Sequence, residues 1–355
     1  MLNALLLYCR AGFEKECAGE IHEQAGALEV AGYLKAEPNS GFVVFTPYDP
    51  ASVAALYSRL RFSELIFARQ LIFVLPLLNG LSPTDRITPL LTAARSLAEG
   101  YSQIFLETAD TNAAKALSVF VRKFAGPFEH AARHAGLIGD TGNRSAPRLH
   151  LFFFDSTAAY VGLSKPGNSS PWLMGIPRLK LLRSAPSRSA LKLEEAFLTF
   201  LGDEPENLRP GMSAVDLGAA PGGWSWQLAR RSIRVTAVDN GPMDKELLDS
   251  GLVEHLRADG FRYRPGKPVD WLVCDMVEQP ARIAALVARW LAEGDCRHAI
   301  FNLKLPMKKR FDEAKRCRKI IEEILNAAKV PCRLGFKQLY HDREEITGYL
   351  TRAIA

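Results

Sequence analysis

Asp216-Leu217-Gly218-Ala219-Ala220-Pro221-Gly222-Gly223-Trp224 is the stretch on which the reading of this chain turns. An apolar run, Ser213 to Leu217, precedes it and an amphipathic segment starts at Trp224, so the spacing predicts strand, loop and helix in succession. Gly218, Gly222 and Gly223 permit a tight backbone beside a ligand, and the helix N-terminus offers free N–H groups. The loop is not the dinucleotide fingerprint G-x-G-x-x-G, because Ala220 and Pro221 interrupt it. Asp239 ends the next strand, where a carboxylate can accept two ribose hydroxyl protons. Asp259 follows the third short strand, placed to accept the exocyclic amine of an adenine. With Asp216, these acids at successive strand ends outline a nucleoside-shaped cradle.

Outward from this loop, apolar strands alternate with helices: Leu191 to Phe200, Val235 to Val238, Asp244 to Asp249, Trp271 to Cys274, Ile283 to Leu291, Ala299 to Leu303 and Asp312 to Ala328. Leu334 to Leu339 and Ile346 to Ala355 close as an antiparallel hairpin. Residues 187–355 are therefore expected to form an α/β domain, a mostly parallel, Rossmann-like sheet with helices on both faces. Residues 165–186, broken by Pro166, Gly167, Pro171, Gly175, Pro177 and Pro186, are a linker, with Trp172 pinning it to the protein. The first half reads as two α+β sets, 1–62 and 63–164. The second contains a long helix from Asn112 to Ala135 and an exposed glycine-rich loop from Gly136 to Ala146.

The 355 residues carry 45 Lys plus Arg and 39 Asp plus Glu, with 48% hydrophobic and 24% charged residues, which excludes a disordered chain. Through Lys165 the chain holds 15 basic and 15 acidic residues; the remainder holds 30 and 24, so the net +6 lies in the second half. The early apolar run Ala4 to Tyr8 is too short for a signal core, and no stretch reaches the roughly 20 apolar residues of a membrane span. A cytoplasmic protein is expected. The six cysteines show no C-x-x-C spacing and read as reduced packing residues. His130 and His134, at i, i+4, read as a solvated helix face, so no metal is expected.

D-L-G-A-A-P-G-G-W, with S-R-S-A-L-K-L-E-E upstream and C-D-M and N-L-K downstream, resembles the S-adenosylmethionine-dependent RNA ribose 2′-O-methyltransferases of the FtsJ type. F-E-K-E-C-A, N-S-S-P-W-L-M-G-I-P-R-L-K, L-K-L-P-M-K-K-R and Q-L-Y-H-D-R-E-E extend the resemblance across the chain, toward the bacterial branch that methylates a cytidine of 23S rRNA. The resemblance implies a ferredoxin-like unit (1–62), a THUMP RNA-binding module (63–164) and a methyltransferase domain (187–355). It also implies S-adenosyl-L-methionine as cofactor, held by Ser187, Gly218, Ala220, Pro221, Gly222, Gly223, Asp239, Asp259 and Asp275. Where the family carries a cysteine before Pro-Gly-Gly, this chain has Ala220, so that side chain is dispensable. With the sequence ending at Ala355, RNA binding is expected not to need a basic C-terminal extension.

The family's catalytic Lys-Asp-Lys set falls on Lys192, Asp275 and Lys304, and its added glutamate on Glu344 or Glu345, with Glu345, beside the strand start, preferred. A free lysine titrates near about 10.4, so a lysine base needs burial or a neighbouring cation. Lys304 is assigned as base, Lys192 as the cation and Asp275 as the group that orients both. Two cationic runs, Arg178 to Lys192 and Lys304 to Lys319, the latter opposed only by Asp312 and Glu313, could neutralise phosphates on either side of the target ribose. The resulting expectation is a monomeric 2′-O-methyltransferase acting on naked or partly assembled 23S rRNA in the peptidyl-transferase region. A tRNA methyltransferase, a non-catalytic RNA-binding assembly factor and a small-molecule methyltransferase are the alternatives.

Overall fold

Five consecutive buried residues, Ala4–Tyr8, make β1, which lies inside a sheet and so tolerates side chains buried on both faces. The computed structural model describes residues 1–138, 144–202 and 205–353, and its contacts fall into two units, Met1–Pro177 and Arg178–Ala355. In the first unit β1 is followed by α1 (Glu14–Ala27), β2 (Gly32–Ala36), β3 (Phe42–Pro47), α2 (Val53–Arg59), β4 (Gln70–Val74), α3 (Ile87–Arg95), β5 (Gln103–Glu107), α4 (Lys115–His134), β6 (Arg148–Asp155) and β7 (Ala158–Ser164). These strands form one seven-stranded sheet in the order β2-β3-β1-β4-β7-β6-β5. β4, beyond the boundary expected at residue 62, pairs antiparallel with β1 and then with β7, so one ladder joins both α+β sets. Of the loop expected between 136 and 146, residues 139–143 lie outside the described residues.

The linker divides at Pro177. Its first part is bonded into the N-terminal unit: Asn168 Nδ2 donates to Leu60 O and Asn168 Oδ1 accepts from Phe62 N, both at 2.8 Å. The Gln70 amide exchanges two 3.0 Å bonds with the Ser170 backbone. Proline and glycine break the helical and strand periods there, and side-chain amides satisfy the backbone groups that no ladder can.

The second unit comprises α5 (Ala190–Phe200), β8 (Ser213–Leu217), α6 (Gly223–Ala229), β9 (Arg234–Val238), α7 (Lys245–Asp249), β10 (Val253–Leu256), β11 (Val269–Cys274), α8 (Pro280–Glu293), β12 (Cys296–Lys304), α9 (Arg310–Ala327), β13 (Cys332–Lys337) and β14 (Glu345–Arg352). Its sheet runs β10-β9-β8-β11-β12-β14-β13, the first five strands parallel and the final hairpin antiparallel. The last strand, expected to reach Ala355, ends at Arg352, and residues 354–355 lie outside the described residues. Trp271, Trp290 and Phe301 are fully buried around this sheet. Strand order reverses at β8, which pairs with β9 on one side and β11 on the other, and ligands of such sheets bind beyond the carboxyl ends at that point. Among the described residues no helix is long and apolar enough to cross a membrane.

Candidate active site

Beyond the carboxyl ends of β8, β9, β10 and β11 lies an open cleft of about 540 Å3, lined in part by Gly218, Ala220, Asp239, Asp259, Asp275 and Met276. Its volume falls within the roughly 300–1,000 Å3 of small-molecule sites. Gly218 has φ +78°, and a Cβ there would fall 2.6 Å from Met276 Cγ and 3.1 Å from Met276 Cα, so only glycine admits this turn. Gly222, with φ +115°, caps α6. A Cβ on Gly223 would collide with the hydroxyls of Ser187 and Ser189. Those two serines share a 2.6 Å hydrogen bond, so Ser187 lies against the glycine turn from the α5 side.

Asp239 is fixed by the loop it serves: Oδ2 accepts from Ala220 N at 3.0 Å and Oδ1 from Gly241 N at 2.7 Å, which leaves each oxygen a further lone pair. Asp259 Oδ1 accepts from Phe261 N at 2.8 Å, and its side chain is half exposed. These contacts fit a nucleoside with a free ribose edge. Asp216 departs from the expected cradle. It is 1% exposed, accepts a 2.7 Å bond from Ser225 Oγ and does not line the cleft, because its position in β8 turns it under the loop toward α6. Burial, with smaller contributions from Asp275 and Asp239, pushes its pKa up to about 7. Pro221, Gly222, Gly223 and Ser187 shape the loop without lining the cleft.

At one end of the cleft Asp275 faces two lysines. The antiparallel register of β12 and β14 sets Lys304 opposite Glu345 and Asn302 opposite Thr347, and the two-residue period puts all four on one face. Asp275 follows β11, whose Cys274 pairs with Phe301, so its carboxylate reaches the same level. Lys192 enters from the first turn of α5. The four charged groups close an alternating ring: Lys304 to Asp275 at 2.8 Å, Lys192 to Asp275 at 3.6 Å, Lys304 to Glu345 at 3.6 Å, and Lys192 hydrogen-bonded to Glu345. Side-chain exposures run only from 9% for Glu345 to 25% for Lys304.

The register also separates the two glutamates that the sequence left open. Glu345 joins the ring, whereas Glu344 is 60% exposed and pairs with Arg310 at 2.7 Å. Burial alone would lower the Lys192 pKa, but the Asp275 and Glu345 carboxylates outweigh it and hold the group above the usual lysine range. Lys192 is thus a firmly protonated cation, and both lysines share the same two acids.

Sequence reasoning missed the residues behind the ring. Asn302 Nδ2 donates to Asp275 Oδ1 at 2.9 Å, and Thr347 Oγ1 lies 2.8 Å from Asn302 Oδ1. Glu195, one turn beyond Lys192, accepts from Tyr340 N, His341 N and His341 Nδ1, anchoring the loop that leads into β14. Asn302 stands in N-L-K, and His341 and Asp342 in Q-L-Y-H-D-R-E-E, so the signal was present as motif without a role.

The second cationic run is less positive than its sequence suggested. Arg310 pairs with Glu344, Lys315 with Asp312, Arg316 with Glu313, Arg318 with Glu322 and Lys319 with Glu323. The helical i, i+4 period brings in acids that a reading along the chain counts as lying outside the run. Lys308 and Lys309 are exposed, next to Met307 at 88% exposure, on the loop following Lys304.

Comparison with known proteins identifies the family. Residues 2–72 match the RlmM ferredoxin-like domain, 85–165 the N-terminal domain of ribosomal RNA large subunit methyltransferase M, and 185–335 the FtsJ-like methyltransferase domain. Ribosomal RNA large subunit methyltransferase M of Methylococcus capsulatus is 63% identical over 349 residues, 98% of each chain. Its counterpart in Cellvibrio japonicus is 54% identical over 353 residues, 98% of this chain and 99% of that one. The chain belongs to the ribosomal RNA large subunit methyltransferase M family, S-adenosylmethionine-dependent enzymes with an FtsJ-like catalytic domain.

Proposed function

We propose that this enzyme methylates the ribose 2′-oxygen of a cytidine in 23S rRNA, in the peptidyl-transferase region, and that it acts on naked or partly assembled rRNA as a cytoplasmic monomer. The observation that carries the reading is that Asp275 belongs at once to the cofactor cleft and to the lysine–carboxylate ring, so a methyl donor and a hydroxyl would meet there. The relatives' names supply the RNA class. A folded ribosome would bury the target region, hence the preference for unassembled RNA. The N-terminal sheet would position the RNA at a distance, as a ferredoxin-like and THUMP pair.

Gly218, Ala220, Pro221, Gly222, Gly223, Asp239 and Asp259 would hold the cofactor, with Ser187 toward its methionine portion. When bound, S-adenosylmethionine supplies an electrophilic methyl group. The protein must then orient the 2′-hydroxyl and take its proton. Lys304 is the assigned acceptor at Nζ. Lys192, held charged by Asp275 and Glu345, stays a fixed cation, while Asp275 sets the direction of both amines.

The test is transfer of radiolabelled methyl to total RNA from cells lacking the gene, followed by nuclease mapping. Label in a 2′-O-methylcytidine of 23S rRNA is expected. Label confined to tRNA, to protein or to small molecules refutes the reading. Lys304→Ala is expected to abolish transfer while cofactor binding persists, and a wild-type rate in that variant would remove lysine from the acceptor role.

A further inference from the structure

Behind the ring runs a chain of buried polar groups that the reaction itself does not use. Asn302, Thr347 and Asp342 are each at most 1% exposed. Asn302 Nδ2 donates to Asp275 Oδ1 at 2.9 Å, which fixes the amide orientation and leaves Asn302 Oδ1 facing Thr347 Oγ1 at 2.8 Å. The opposite orientation would set the amide oxygen against a carboxylate oxygen. Thr347 must therefore donate to Asn302, and a threonine hydroxyl has one hydrogen. Yet Thr347 Oγ1 also lies 3.3 and 3.0 Å from the two oxygens of Asp342. With its hydrogen already committed, that second contact is a hydrogen bond only if Asp342 provides the proton.

We propose that Asp342 is a neutral carboxylic acid that donates to Thr347, and that the chain Asp342–Thr347–Asn302 is a one-directional relay positioning Asp275 for the methyl-transfer reaction. Each link orients the next: the acid commits the hydroxyl, the hydroxyl commits the amide oxygen, and the amide N–H presses on the Asp275 oxygen that also receives Lys304. The proton assignment agrees with the surroundings. Burial raises the Asp342 pKa well above the carboxylate range; the Leu339 N–H and the Lys192 cation oppose that rise, and Glu345 and Glu195 add to it. Leu339 N donates to Asp342 Oδ2 at 3.0 Å. A break in the relay lets Asn302 turn its oxygen toward Asp275, which moves both lysines without removing any group that touches the RNA or the cofactor.

The role of the relay in catalysis rests on the methyltransferase reading above; the protonation of Asp342 does not. Asparagine at 342 reproduces the proposed state, its NH2 in place of the acid O–H and its oxygen accepting from Leu339. Asp342→Asn is expected to keep kcat within about twofold of wild type, whereas Thr347→Val, equal in shape, lowers kcat about tenfold, the worth of roughly one net hydrogen bond, with unchanged KM for cofactor and RNA. Infrared difference spectra of the full-length protein, wild type minus Asp342→Asn at neutral pH, read the acid directly and need no activity. A carboxylic-acid carbonyl band that vanishes in the variant supports the assignment, and loss of carboxylate bands instead overturns it. An Asp342→Asn variant as slow as Thr347→Val, or a Thr347→Val variant as fast as wild type, overturns the relay even with the acid confirmed.

Discussion

Replacing Lys192 by methionine, close in volume and without charge, tests whether electrostatics hold the ring together. In the wild type two lysines and two carboxylates cancel; in the variant Asp275 and Glu345 share Lys304 alone, and the ring carries one uncompensated negative charge. Breaking a fully buried ion pair from one side costs about 3–5 kcal/mol. Here the side chains of Lys192, Asp275 and Glu345 are 15, 16 and 9% exposed, so water screens part of the excess, and about 2–4 kcal/mol is expected. For a unit of this size that lowers the melting temperature of the C-terminal transition by roughly 5–15 °C. The sign with pH follows from the raised Lys192 pKa. Its contribution is fully present below the unfolded lysine value near about 10.4 and fades as pH rises through the higher folded value, so wild type and variant converge only in strong alkali. Calorimetry at neutral and alkaline pH reads both effects. Adding Glu345→Gln restores neutrality, and the double variant should lose less than the sum of the singles, with coupling of about 1–3 kcal/mol. A Lys192→Met protein that melts with wild type at neutral pH, or strict additivity in the double variant, refutes the ring as a mutually stabilised unit.

Asp216→Asn should raise the melting temperature at pH 8 and leave it unchanged at pH 4, because a buried acid whose pKa is raised to about 7 costs stability progressively from the unfolded value upward. Summed from the ordinary carboxylate value up to about 7, that cost is at most about 4 kcal/mol. Gly218→Ala should weaken S-adenosylmethionine binding by at least about tenfold in calorimetric titration, since a left-handed alanine must also push the Met276 backbone out of the cleft lining. Lys308→Gln with Lys309→Gln should flatten the salt dependence of rRNA binding by roughly 1.4–1.8 in log–log slope and leave cofactor affinity unchanged. Arg316→Gln with Lys319→Gln, which removes cations already paired with Glu313 and Glu323, should barely alter that slope.

The strands and helices of the C-terminal unit were legible because apolar periodicity is local. β8, β9, β11 and β12 lie near their expected positions, and the cofactor loop could be read from its own glycines. The pairing between distant segments was not. Glu345 and Glu344 are adjacent and chemically identical, and only the register that sets Lys304 against Glu345 separates them. Asp216 looked like a third cradle acid because it shares the strand-end pattern of Asp239. Asp216 lies inside β8, level with Ala237 and two residues short of the level of Asp239, so it is buried against Ser225 beneath the loop instead of reaching the cleft. The cationic run failed for a related reason: the partners of Arg318 and Lys319 lie one helical turn away, and the partner of Arg310 comes from the bend that leads into β14.

The ring also bears on how a lysine can act as base here. The sequence suggested that Lys192 lowers the proton affinity of Lys304 through charge repulsion. The structure interposes two carboxylates, each in contact with both amines, so the repulsion is offset where the groups sit. The ring therefore pairs each amine with both acids and carries no net charge. Its neutrality is useful in a different way. A neutral constellation neither attracts nor repels a nucleotide by net charge, so approach is left to exposed cations outside it, Lys180, Arg183 and Arg188 before α5 and Lys308 and Lys309 after Lys304. Under this reading, activation by substrate should follow the fit of the ribose rather than the phosphate charge. A target RNA carrying 2′-deoxycytidine at the modified position should bind with the affinity and salt slope of the natural RNA while accepting no methyl group. Weaker binding of the deoxy RNA by more than about tenfold would show that the 2′-hydroxyl contributes to ground-state affinity, and that the ring binds as well as orients.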